Sequence, residues 1–204
     1  MPELWLWVEG EGERPDPKTG KGGGATVLVR RILHERLAAY DWNVTAAKVG
    51  DLNAFRRKMQ RMVAYLKHRQ EEAALVLLDL DDGCAAIEAQ ALVQDLRALS
   101  PPKPIAVVFA VREFEAWFLA AASSLWGEEK AKAYPHPPES KRDAKGEIQR
   151  YFQDDYTPTS DQASLAARMD LAQAQAHSRS FRRLLHAVEE LIQAVQNGQK
   201  VVTP

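Results

Sequence analysis

The chain alternates between two kinds of apolar pattern. Short, nearly continuous apolar runs occur at Leu4–Val8 (LWLWV), Trp42–Val49, Leu75–Leu78 and Ile105–Val111 (IAVVFAV). Between and after them lie longer stretches with apolar residues at helical spacing: Val27–Leu37, Leu52–Lys67, Ala85–Leu99 and Glu113–Trp126. A strand apolar along its whole length is buried on both faces, and strands alternating with amphipathic helices build a parallel sheet with helices on either side. The pattern therefore predicts an α/β fold with a mainly parallel sheet of about four strands. From Tyr134 the pattern changes. A proline-rich segment, YPHPPESKRD, gives way to helices alone, at Ala144–Phe152, Ser160–Met169, Leu171–Ala176 and Phe181–Gln196. Ser160 and Ser180 are the expected N-caps. Residues 1–133 thus form the α/β domain, and residues 134–204 a helical subdomain packed on it. Gly12–Gly24 reads as a mobile Pro/Gly-rich loop, and Lys200–Pro204 as a frayed tail.

Composition narrows the classes. The 204 residues are 46% hydrophobic and 27% charged, with a net charge of −1. No global basic field marks a nucleic-acid binder, so any basic patch is local. Cys84 is the only cysteine, which excludes a disulfide framework and fits a reducing, cytoplasmic setting. No run reaches the ~18 apolar residues of a membrane span, and the N-terminus lacks the pattern of a signal peptide.

The chemistry gathers at strand ends. In open parallel sheets, ligands bind outside the carboxyl ends of the strands. The first strand ends in Glu9, the third in Asp79-Leu80-Asp81-Asp82, and the fourth in Arg112-Glu113-Phe114-Glu115. Clustered like charges repel unless a cation relieves them. Hard divalent cations such as Mg²⁺ take carboxylate oxygens, typically one or two, with waters and phosphate oxygens completing the shell. Structural roles compete with this reading. Asp82 suits an N-cap for the Ala85 helix. Glu113 and Glu115 suit a helix start, and two residues apart on a helix they do not face one site together. Trp117 and Phe118 read as core. GKGGG fails the P-loop pattern, the histidines lack zinc-ligand spacing, and no nucleophile elbow is present. Two basic clusters, Lys141/Arg142/Lys145 and Arg179/Arg182/Arg183, are either solvated faces or phosphate grips.

VEGEGE (Val8–Glu13) followed by LLDLDD (Leu77–Asp82) resembles the Toprim domain of topoisomerases, primases and related nucleases. AVREFEAWFLAAASSL (Ala110–Leu125), RDAKGEI (Arg142–Ile148), DQASLAARMDL (Asp161–Leu171) and SRSFRRLL (Ser178–Leu185) resemble blocks of a bacterial family, domain of unknown function 4276, over roughly residues 4–193. The resemblance implies a Toprim-like fold. It also implies an Mg²⁺ or Mn²⁺ site on Glu9, Asp79 and Asp81, with Glu115 as the second-site acid. Arg112, Lys145 and Arg182 would neutralise phosphate. Members often neighbour ATPase genes in apparent phage-defence loci, so a partner ATPase is implied as well as nucleic acid. Two departures stand out: an insertion at Arg14–Gly24, and an Asp-Leu-Asp-Asp-Gly motif one residue tighter than the usual spacing. The expected function is a metal-dependent phosphodiesterase, most readily a nuclease. The alternatives are a non-catalytic docking subunit and a receiver-like phosphoacceptor on Asp79, ranked last because strand four ends in Arg112 rather than lysine.

Overall fold

A computed structural model describes residues 1–16 and 23–204. Five strands form one all-parallel sheet: β1 (Glu3–Val8), β2 (Asn43–Lys48), β3 (Ala73–Leu80), β4 (Ile105–Val111) and β5 (Val202–Thr203), in the order β2-β1-β3-β4-β5. The helices are α1 (Gly24–Arg31), continued by a π turn at Ile32–Arg36, α2 (Leu52–Leu66), α3 (Ala85–Ala98), α4 (Ala116–Ala120), α5 (Ala122–Trp126), α6 (Glu128–Ala133), α7 (Ala144–Tyr151), α8 (Pro158–Arg168), α9 (Leu171–His177) and α10 (Arg179–Gln196). This architecture is compatible with a Toprim-like fold.

The strands are apolar on both faces because both faces are covered. Leu4, Leu6 and Val8 of β1 join a core with α1, α4, α8 and α10, while Trp5 and Trp7 join the opposite core with α2 and α3. The alternation of side chains along a strand produces this division. It also decides where Asp79 points, since it shares a strand face with Leu75 and Leu77, on the α1/α10 side.

Several sequence expectations change. The tail at Lys200–Pro204 is not frayed: Val202 and Thr203 pair with Ile105 and Ala106, and the Ile105 N–H donates to the Val201 carbonyl at 2.9 Å. Two residues carry too little pattern to announce a strand. Glu128–Ala133 is an additional helix with no buried residue, hence no apolar stripe to reveal it. The expected helix at Glu113–Trp126 begins at Ala116 and breaks at Ala121. Thr157, not Ser160, precedes α8, and Ser178, not Ser180, caps α10 by accepting from the Phe181 N–H at 2.9 Å. Asp82 caps nothing; α3 starts after Cys84 without a side-chain cap. The segment Gly12–Gly24 lies partly outside the described residues. Its described ends are fixed, with the Gly24 N–H donating to the Gly12 carbonyl at 2.8 Å.

The later helices lie on the sheet. α10 puts Phe181, Leu184, Val188 and Leu191 at i, i+3, i+4 spacing into the core against β4 and β3, and α8 lies along α1.

Candidate functional site

All strands run parallel, so β1, β3 and β4 deliver their carboxyl ends to one edge. Registers of Val8 with Leu77 and of Leu80 with Val111 bring Glu9, Asp79 and Arg112 to that edge. The Asp79 N–H donates to Glu9 Oε2 at 3.2 Å, which ties the two motifs together.

A third acid completes the pocket. Glu13 turns back beneath Glu9, and its carboxylate accepts from the Glu9 N–H at 3.2 Å and the Gly10 N–H at 3.1 Å. The two glycines of Glu-Gly-Glu-Gly-Glu make this turn possible. A Cβ on Gly10 would lie 2.8 Å from Glu13 Oε1, and one on Gly12 would lie 2.9 Å from the Pro158 backbone. Glu13 is only 4% exposed, and burial, with Glu115 and Glu9 nearby, pushes its carboxyl up to about 8. Burial also pushes Asp79 well above the ordinary range, aided by Glu13, Glu115, Glu9 and Glu113. Glu9 is raised by burial, an effect opposed by the Asp79 N–H.

Glu115 enters from the loop after β4. It is buried, and its Oε1 accepts from Tyr156 Oη at 2.8 Å and Gln162 Nε2 at 2.9 Å. Glu113 accepts from the Lys145 N–H at 3.0 Å and is raised by burial and by its neighbours Glu115, Asp143 and Asp81. Glu113 and Glu115 precede α4 rather than lying within a helix, and both carboxylates raise Asp79.

The remaining candidates occupy different places. Asp81 is exposed beyond the end of β3, within electrostatic reach of Glu9 and Glu113. Arg112 adopts a left-handed backbone (φ 75°). Its guanidinium bonds the Asp81 carbonyl and Asp82 Oδ1, while Arg142 bonds the other Asp82 oxygen. Lys145 touches the site through its backbone, and its side chain is exposed. Arg182 is directed elsewhere: its Nη1 binds the carbonyl oxygens of Gln175 (2.8 Å) and Ala176 (3.2 Å) at the end of α9. The sequence reading missed Glu13, Tyr156 and Gln162. The repeated Glu-Gly was the available signal for Glu13; nothing local marks the other two.

The chemistry of the donor set suits a hard divalent cation. Glu9, Glu13, Asp79, Glu113 and Glu115 supply only carboxylate oxygens, and none of the five forms an ion pair among the described residues. Burial and mutual repulsion raise the proton affinities of Glu9, Glu13, Asp79 and Glu113. Among the described residues, no three His, Cys, Asp or Glu side chains converge as a ready-made cage. One or two carboxylates suffice for Mg²⁺ when waters and phosphate oxygens complete the shell.

Residues 22–189 match the family described as Domain of unknown function (DUF4276). The chain belongs to this family. No curated protein and no solved structure matches it. Asp79, Asp81, Glu113 and Glu115 lie inside the matched span of the DUF4276 family, whereas β1, with Glu9 and Glu13, precedes it.

Proposed function

We propose that this DUF4276 protein is a Toprim-like, Mg²⁺- or Mn²⁺-dependent phosphodiesterase, a nuclease of bacterial phage defence. The observation carrying the reading is the group of buried and half-buried, mutually repelling carboxylates at the carboxyl edge of β1, β3 and β4. Glu9 and Asp79 would hold the ion, with the exposed Asp81 reaching it from the loop. A divalent cation supplies polarisation of a phosphate and activation of water. The chain's own groups do the rest. The Asp79 N–H orients Glu9, and Glu13 fixes the turn after Glu9 through two backbone N–H groups. Tyr156 and Gln162 hold Glu115 as an acceptor positioned to orient water. Arg112, beside Asp82, and the exposed Lys145 side chain would supply the positive charge that meets phosphate.

The test is cleavage of single- and double-stranded DNA and RNA with Mn²⁺, comparing wild type with Asp79→Asn. Cleavage lost in the variant supports the reading; identical cleavage by both removes it. The second reading, a non-catalytic subunit docked on a partner ATPase, is favoured by the absence of three convergent ligands among the described residues. Co-purification with a partner ATPase, together with no cleavage by the complex, selects that reading.

A further inference from the structure

A cavity of about 710 Å³ lies between α3, the edge of β4 and the first turns of α10. Small-molecule sites span roughly 300–1,000 Å³. On the side away from β3, β5 pairs only with Ile105 and Ala106, which leaves that edge of β4 open from Val107 to Val111, beside the cavity. Its floor is apolar, formed by Val107 and Phe109 of β4 with Ala86 and Ala89 of α3. Its rim carries Arg179, Arg182, Arg183 and His186 of α10. Gly83 and Cys84, which directly follow Asp81-Asp82, also line it, so the cavity and the acidic pocket share the β3–α3 loop.

The cations are not equally engaged. Arg183 lies 2.7 Å and His186 3.2 Å from Glu190, and Arg182 is held by the α9 carbonyls. The exposed Arg179 side chain has no hydrogen-bond or ion-pair partner among the described residues. The acid in the lining is Glu139, from the proline-rich segment. Its carboxylate accepts from the N–H groups of Arg179 (3.2 Å) and Ser180 (2.9 Å) and the hydroxyls of Ser178 (2.6 Å) and Ser180 (2.5 Å). The chain thus seats an anion of its own at the basic end of an apolar-floored cavity.

We propose that this cavity takes a nucleoside phosphate, the base against the floor of Phe109 and Ala86 and the phosphate at Arg179 and Arg183. The proposal deepens the phosphodiesterase reading and rests on it for the ligand's role as part of a substrate. A free mononucleotide and the end of a nucleic-acid strand present the same chemistry. Binding is therefore measured in a chelator, by fluorescence anisotropy of labelled single-stranded DNA and RNA oligonucleotides and by calorimetry with adenosine monophosphate, which also serves as competitor. Arg179→Ala should weaken binding about tenfold, the loss of one charge-assisted hydrogen bond. Ala86→Trp, at an exposed position, should fill the cavity and weaken binding at least as much. Both should keep the wild-type circular dichroism spectrum and Tm. Oligonucleotide displaced by adenosine monophosphate supports a strand end; the mononucleotide binding alone supports the free ligand. Oligonucleotide that it cannot displace, equal affinity in wild type and both variants, or no binding of either ligand overturns the proposal. Metal-dependent cleavage is scored separately. Variant-sensitive binding without cleavage upholds the cavity and removes the phosphodiesterase reading. Cleavage with unchanged KM in both variants keeps that reading and removes the cavity.

Discussion

Glu13→Gln reads out the electrostatics of the acidic pocket directly. In the folded protein Glu13 titrates at about 8, against 4.5 for an ordinary glutamate. Between those values the folded chain holds a proton that the unfolded chain has released. Stability from this group is therefore fully present below about pH 4.5 and lost as pH rises to about 8, the reverse of ordinary acid denaturation. At 1.36 kcal/mol per pH unit, the whole interval corresponds to about 5 kcal/mol, of which about 3 kcal/mol is gone by pH 7. Glutamine cannot ionise, so the variant should lose about one proton's worth of slope, near 1.4 kcal/mol per pH unit. Its amide nitrogen cannot accept from the second backbone N–H, which costs about 1 kcal/mol at every pH and leaves the slope untouched. Some slope should persist, because Asp79 is raised as well. The assay is urea denaturation in chelator at half-unit steps from pH 4.5 to 8.5. Parallel curves for wild type and variant would refute the reasoning, since they would mean that Glu13 is ionised at pH 7.

Other residues of the pocket give sharper, smaller tests. Excess Mn²⁺ should stabilise wild type by about 2.7 kcal/mol at 100 times Kd; calorimetry should show Asp79→Asn losing that increment while its metal-free Tm equals or exceeds wild type. Tyr156→Phe deletes one buried hydrogen bond to Glu115 and should cost about 1–2 kcal/mol in urea denaturation; a neutral result would mean the bond adds nothing. Asp81→Ala, at an exposed position, should stay within about 0.5 kcal/mol of wild type and lose metal-dependent cleavage, and undiminished cleavage would take Asp81 out of the site.

Much of the fold was legible because burial on both faces writes itself into the strands: Ile105–Val111 is bounded as its apolar run predicts. Strand ends then pointed to Glu9 and Asp79, which the parallel register brings to one edge. Legibility ended where position depends on chain segments far apart. Glu115 reads alone as a helix-opening acid, yet its partners Tyr156 and Gln162 lie 41 and 47 residues away. Glu13 sits in a Pro/Gly-rich stretch whose composition suggests solvent, and only its backbone bonds and burial reveal it. Arg182 looked like a phosphate grip because a basic cluster says nothing about the carbonyl groups that its guanidinium meets.

The small strand β5 also sets a clock on synthesis. Val202 is 97 residues downstream of its partner Ile105 (202 − 105). At about 5–20 residues per second, roughly 5–20 s separate the making of the two. Throughout that interval β4, with the sequence IAVVFAV, has one edge without its strand, and α10, which covers it, is made only near the end. An unpaired apolar edge is a template for pairing with another chain. Nascent chains on one message are therefore most prone to aggregate in this window, and a chaperone that shields strand edges would matter more during translation than after release.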